Sequence, residues 1–172
     1  EVDLTEVLPH SVLQQAAQIQ HWVVENAKTA RAFLKRVDRI APLAAPLQAL
    51  GIQELPRPRK GTSHAPTPEL TPLLAPALAG HDVGLLSEAG LPAVADPGAA
   101  LVQAAHGLGV TVLPLSGPSS LMLALAASGL NGQSFAFVGY LPVEGSARAA
   151  RITALDQLSR RQQQTQLAIE TP

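Results

Sequence analysis

The sequence predicts an α/β fold with a largely parallel sheet and helices on both faces. Three observations lead there. Short apolar runs rich in strand formers alternate with stretches of helical periodicity through most of the chain. Two of those runs, Val83–Leu86 and residues 110–115, are short enough for buried strands, and each is followed by a loop of small residues that opens a helix. No internal repeat is present.

At the start of the chain, Ser11 precedes Val12, Leu13, Ala16, Ala17 and Ile19, which keep helical spacing, so Ser11 is expected to cap a first helix. Residues 21–25 are rich in strand formers. Asn26 then caps a second helix, with Ala30, Phe33, Leu34 and Val37 repeating on one face. Pro42 and Pro46 interrupt residues 40–51, before a brief strand at 52–55. Residues 57–66 carry Arg57, Arg59 and Lys60 among Pro, Gly and Ser, and are expected to form a mobile loop. Thr67-Pro68-Glu69 reads as the start of an irregular helix that Gly80 ends. Asp96-Pro97 and Gly117-Pro118 are expected to open two more helices, the second closed by Gly129. A strand at 135–140, a polar helix at 145–161 carrying Ile152, Leu155 and Leu158 on one stripe, and a strand at 165–169 complete the pattern.

Composition narrows the function. With 172 residues the chain can bury a substantial core. It has no cysteine, so disulfide frameworks and thiolate metal sites are excluded, and a reducing, cytoplasmic location is expected. No apolar run approaches membrane-spanning length. A net charge of −1 speaks against wrapping nucleic acid through bulk positive charge and leaves room for a local basic patch. Neither G-x-G-x-x-G nor G-x-x-x-x-G-K-S/T occurs, which disfavours dinucleotide dehydrogenases and phosphate-cradling ATPases. His10, His21, His64, His81 and His106 lack metal-ligand spacing. Ser119 and Ser120 have no G-x-S-x-G elbow around them.

What remains is S-E-A-G-L-P-A-V-A-D-P-G at 87–98 and S-G-P-S-S at 116–120. The residues alone allow two readings. In one, Asp96 and Ser116 cap helices while Gly90, Gly98 and Gly117 supply turns. In the other, small side chains at two strand ends let the backbone approach one small polar ligand held between the loops.

These two motifs, together with F-x-F-V-G-Y-L-P at 135–142 and V-E-N-A-K-T-A-R-x-F-L at 24–34, resemble the tetrapyrrole methylase superfamily of S-adenosylmethionine-dependent methyltransferases. Within it they are most similar to the branch of ribosomal RNA 2′-O-ribose methyltransferases, which tends to read S-D-A-G-x-P-x-x-S-D-P-G, P-G-P-S-A and F-x-F-x-G-F-L-P. The resemblance implies a bilobal enzyme, commonly a homodimer, with S-adenosylmethionine in the cleft between its lobes. It implies that 1–142 form the N-terminal methylase domain and 143–172 a linker and the start of a second α/β domain. A strand preceding residue 1 and the body of that second domain are then expected beyond this sequence. It places Ser87, Glu88, Ala89, Gly90, Ala93, Val94 and Asp96 around the cofactor from one side, and Ser116, Gly117, Pro118, Ser119 and Ser120 from the other. Here Glu88 replaces the branch's Asp, Ala95 its Ser, Ser116 its Pro, and residues 24–27 read V-E-N-A for A-E-D-T.

No catalytic residue and no metal ligand is named from the sequence. Glu25, at a strand end, is a candidate base or substrate contact. Arg57, Arg59 and Lys60, and Arg148, Arg151, Arg160 and Arg161 near the late helix, form two basic groups suited to RNA phosphates or to the carboxylates of a tetrapyrrole. Ribosomal RNA is the expected methyl acceptor; a tetrapyrrole or other small molecule, or a non-catalytic adenosine-nucleotide-binding module of the same fold, are the alternatives.

Overall fold

The structure is a computed structural model that describes residues 2–56 and 69–170. Two compact units divide the chain, Glu1–Pro118 and Ser119–Pro172, and residue 142, the expected domain boundary, lies inside the second. Each unit is described by itself. Arg57, Arg59, Lys60 and the expected helix start at 67–68 lie outside the described residues.

In chain order the first unit contains α1 (His10–Gln18), β1 (His21–Val24), α2 (Ala27–Val37), β2 (Gly51–Glu54), α3 (Ala75–Leu78), β3 (Val83–Leu86) and α4 (Ala99–Gly107), with 3-10 turns at Leu4–Glu6, Leu47–Ala49 and Thr71–Leu74. The sheet is parallel and three-stranded, ordered β2-β1-β3. Trp22 stands opposite Ile52 on one side and Gly84 on the other.

The central position of β1 follows from its sequence, because Trp22, Val23 and Val24 are all buried, as a strand covered on both faces requires. The two-residue repeat of a strand then sends Trp22 and Val24 to one face and Val23 to the other. On the first face they meet Leu13, Ala16 and Ala17 of α1 and Ala30, Leu34 and Val37 of α2. Across the sheet Val23 packs with Leu55, Leu74, Leu101 and Ala105. Helices therefore cover both faces, as the alternating pattern predicts.

Local signals account for most boundaries. Asn26 caps α2 as expected, its Oδ1 accepting from the N–H groups of Lys28 and Thr29 at 2.9 and 3.4 Å. Gly109 (φ +71°) ends α4, with the Val110 N–H donating to Ala105 O at 2.9 Å and the Gly109 N–H to His106 O at 3.1 Å. This is a glycine-terminated helix end of the Schellman type.

Three expectations are corrected. Ser11 does not cap α1: Pro9 O already accepts from the Val12 and Leu13 N–H groups, so Ser11 sits inside the first turn. Nor does Asp96 open α4. Gly98 does, at φ +129°, because the chain passes so close over Leu85 that a β-carbon on Gly98 would lie 2.9 Å from Leu85 Cδ2. Residues 110–115 do not form a strand. Val110 and Val112 pack against the second cluster while Leu113 is 75% exposed, and among the described residues no strand edge bonds to this segment. Strand propensity needs a neighbouring backbone, and Pro114 offers no N–H to one.

The second unit contains α5 (Ser120–Ser128), β4 (Phe135–Tyr140), α6 (Gly145–Gln162) and β5 (Thr165–Ile169). Ser119, not Gly117-Pro118, precedes α5, its Oγ accepting from the Met122 N–H at 3.5 Å. Gly129 closes the helix at φ +69°, as expected. β4 and β5 pair in parallel, with α6 as the crossover. Of the expected α6 stripe, Leu155 is buried and Ile152 is half exposed.

Candidate functional site

Three parallel strands of the first unit end at one edge of the sheet, and a glutamate stands at or just beyond each end: Glu54 on β2, Glu25 after β1 and Glu88 after β3. Each carboxylate is engaged. Glu54 Oε1 accepts from the Ala27 N–H at 2.7 Å, adding to the Asn26 cap at the positive end of α2. Glu25 Oε2 accepts from the Glu88 N–H at 3.1 Å, and its own N–H continues the β1–β3 pairing by donating to Leu86 O at 3.2 Å. Thr29 Oγ1 donates to Glu88 Oε1 at 2.5 Å. Glu25 and Thr29 thus tie the loop after β3 to the start of α2. No cluster of three or more His, Asp or Glu among the described residues is arranged to hold a metal.

That loop turns sharply. Ser87 Oγ donates to Ala89 O at 3.0 Å, and Gly90 adopts φ +70°, a conformation open to glycine at little cost. Ala93 (φ +67°) and Ala95 (φ +62°) adopt the left-handed conformation without that freedom. The Ala93 N–H to Pro97 O bond at 3.3 Å and the Val94 N–H to Leu91 O bond at 3.1 Å close the turn around them.

A cavity of about 260 Å³ opens at this edge, inside the first unit. Residues 87–92 form one side of it and residues 115–118 another. Trp22, Val24, Leu85 and Leu86 contribute from the sheet, Asn26, Thr29, Ala30 and Phe33 from α2, and Leu8, Val12 and Ala16 from the N-terminal segment. Its walls are apolar in the main, with hydroxyls of Ser87, Thr29 and Ser116 and the peptide groups of the two loops as polar points. The N–H groups of Ala89, Gly90 and Gly117 have no acceptor among the described residues. A β-carbon on Gly117 would touch Leu91 at 3.5 Å and Leu8 at 3.6 Å, so glycine brings the backbone to the cavity wall.

Of the residues singled out in the sequence, Ser87, Glu88, Ala89, Gly90, Ser116, Gly117 and Pro118 line this one cavity. Ala93, Val94 and Asp96 belong to the same loop without lining it, and Asp96 turns back toward Gly90, its Oδ2 3.7 Å from where a β-carbon would be. Ser119 and Ser120 cap and open α5 in the second unit. Glu25 does not line the cavity and holds the loop through the Glu88 N–H. Trp22, Thr29 and Phe33 were not singled out. The β1–α2 succession carries the signal for Thr29, since a helix following a parallel strand begins at the same edge as the loops.

The arrangement suits a small molecule with an apolar body and a few hydrogen-bonding groups, or one part of a larger ligand.

No family model matches the chain. Segments of it are similar to proteins named ribosomal RNA small subunit methyltransferase I. The relative from Xylella fastidiosa is 45% identical over 78 residues, 45% of this chain and 29% of that protein. The Mesorhizobium japonicum protein is 46% identical over 83 residues, 48% of this chain and 28% of its own length. In Micromonospora olivasterospora the figures are 47% over 76 residues, 44% of this chain and 24% of the relative. The matched segment spans less than a third of these curated relatives. Over that segment the chain is similar to methyltransferases of ribosomal RNA, in agreement with the resemblance read from its motifs.

Proposed function

We propose that this chain is part of an S-adenosylmethionine-dependent methyltransferase of the tetrapyrrole methylase type that acts on a ribose 2′-hydroxyl of small-subunit ribosomal RNA. One observation carries the reading: the two small-residue loops, far apart in sequence, line a single cavity at the carboxyl ends of parallel strands. The names of the relatives support small-subunit ribosomal RNA as the acceptor. The domain division at 142, a cytoplasmic location and a homodimeric state belong to the same proposal; no helix among the described residues is long and apolar enough to cross a membrane.

The residues present fit the cofactor. Glycine at 90 and 117 brings backbone to the cavity, and peptide N–H groups there are free to meet a carboxylate or a nucleoside. Ser87, Glu88, Ala89 and Gly90, with Ser116, Gly117 and Pro118, would hold it, and Ala93, Val94, Asp96, Ser119 and Ser120 complete the proposed set. Bound there, S-adenosylmethionine would supply its sulfonium methyl group to the ribose oxygen, with S-adenosylhomocysteine and the hydroxyl proton as the other products. The protein's task in such a transfer is alignment and exclusion of water. Trp22, Phe33, Leu85 and Leu86 keep the wall dry. Glu25 serves by fixing the Glu88 peptide, and Thr29 by fixing its side chain.

Calorimetric titration of S-adenosylmethionine and S-adenosylhomocysteine into the full-length protein tests the reading. Both are expected to bind, and Gly117→Val, which fills the cavity, is expected to weaken them by about tenfold or more. Failure of either ligand to bind the full-length protein overturns the proposal. Mass-spectrometric mapping of ribose methylation in small-subunit ribosomal RNA, with and without the protein, tests the acceptor.

A further inference from the structure

Among the described residues that line the cavity, Glu88 is the one with a charged side chain; the rest are apolar or neutral, Ser87, Thr29, Ser116 and Asn26 being the polar ones. Residues distant in the chain hold it in place. Thr29 Oγ1, in the first turn of α2, donates to Glu88 Oε1 at 2.5 Å, and the Glu88 N–H donates to Glu25 Oε2 at 3.1 Å. Among the described residues the second oxygen, Oε2, takes no hydrogen bond, and no Lys or Arg pairs with the carboxylate.

Tying the loop to α2 does not require the charge. The Thr29 hydroxyl needs only an acceptor, which the carbonyl oxygen of a glutamine would supply as well. The negative charge therefore acts on whatever enters the cavity. Its reach makes the exact pose of a ligand secondary. A space of about 260 Å³ is about 8 Å across, so a cation held inside it lies within about 8 Å of a carboxylate on its wall.

We propose that Glu88 sets the charge preference of this site, favouring a sulfonium ligand over the neutral thioether left when its methyl group has gone. The inference rests on the cofactor reading above and gives one residue of that site the task of telling donor from product. S-adenosylmethionine and S-adenosylhomocysteine differ by one methyl group and one positive charge. In the transfer the methyl–sulfur bond breaks, the methyl group goes to the ribose oxygen, the hydroxyl proton leaves and the sulfur becomes neutral. Its attraction to Glu88 ends with that step, so the spent ligand is held less tightly than the fresh one and exchange is favoured. A pair of unit charges about 8 Å apart changes a binding constant by roughly twofold in bulk water and by about thirtyfold at the dielectric of a protein surface. Glu88 is exposed, which sets the expected effect between these, at about fivefold.

The test is calorimetric titration of both ligands into the full-length protein and its E88Q and E88D variants. E88Q keeps an acceptor for Thr29 and removes the charge; E88D keeps the charge. In E88Q the affinity for S-adenosylmethionine is expected to fall by about fivefold while that for S-adenosylhomocysteine stays unchanged. E88D is expected to retain the preference for the sulfonium. Raising the salt concentration should shrink that preference in the unsubstituted protein and leave E88Q indifferent. Equal losses for the two ligands in E88Q would give Glu88 a purely structural role and overturn the proposal, and unchanged affinities for both overturn it too. Either result leaves the cofactor reading standing, because both ligands still bind the unsubstituted protein. Binding of neither ligand to the unsubstituted protein overturns that reading and this proposal together.

Discussion

The two units of this chain are stabilised by different physics. The first buries a parallel sheet on both faces, with Leu13, Leu34, Val23, Val24 and Val37 fully enclosed. The second buries Leu121, Leu125, Leu155 and Thr165 and leaves Leu123, Leu130, Tyr140 and Val143 largely exposed. In place of a deep core it has a polar turn network. Asn131 donates through Nδ2 to Gln163 O at 2.9 Å and accepts through Oδ1 from the Gln133 and Ser134 N–H groups at 2.9 and 3.2 Å, while the Thr165 hydroxyl donates to Asn131 O at 2.9 Å. One α/β pattern thus rests on apolar burial in one place and on side chains that satisfy backbone groups in another. Substitutions should separate the two.

The largest effect is expected in the first unit. Gly84 lies beside Trp22 in the sheet, and a β-carbon there would sit 2.5 Å from the indole ring, whose Nε1–H is held by Ile19 O at 3.0 Å. Gly84→Val should destabilise the unit by about 3 kcal/mol through overpacking, as measured by denaturant unfolding. A loss under about 1 kcal/mol would mean that Trp22 is not fixed and that the core is looser than its burial implies.

Asn131→Ala should cost the second unit about 1–2 kcal/mol, since it leaves several backbone groups without partners. Hydrogen exchange at the Gln133 and Ser134 amides should accelerate selectively. If that exchange is unchanged, the polar network does not hold the unit.

Glu25→Ala removes the acceptor of the Glu88 N–H. It should cost about 1 kcal/mol locally and weaken S-adenosylhomocysteine binding several-fold, with faster exchange at the Glu88 amide as its direct signature. Ala95→Gly relieves a left-handed alanine in the same loop, and should stabilise by about 0.5 kcal/mol, the strain relief being partly offset by the freer unfolded chain.

The last prediction concerns pH. Glu144 caps α6, its carboxylate accepting from the Ser146 hydroxyl and from the Ser146 and Ala147 N–H groups, bonds that lower its pKa from 4.5 to about 2. A lowered carboxyl pKa stabilises the fold above the unfolded value and ceases to as the folded group protonates. The start of α6 should therefore loosen as pH falls from about 4.5 to about 2, followed by nuclear magnetic resonance of Ser146 and Ala147. Glu144→Gln should flatten that dependence.

Much of the fold was legible because its signals are local. Asn26 before an amphipathic run marks α2, Gly129 marks the end of α5, and the apolar runs at Val83–Leu86, Phe135–Tyr140 and Thr165–Ile169 are strands at those bounds. The small residues at 87–90 and 116–118 were legible as loops whose backbone can approach a neighbour closely, and the structure brings them to the wall of one cavity.

Periodicity, capping and side-chain size, each acting within a few residues, were enough to specify the fold class, most of the elements and the two loops. Packing settled the rest. Residues 110–115 have the composition of a strand and pair with none, since pairing is a property of the neighbouring backbone. Gly98, not Asp96, opens α4 because Leu85 lies beneath it, and Glu25 and Thr29 reach Glu88 across 63 and 59 residues of chain. These are distances between segments, and no local signal along the chain encodes them.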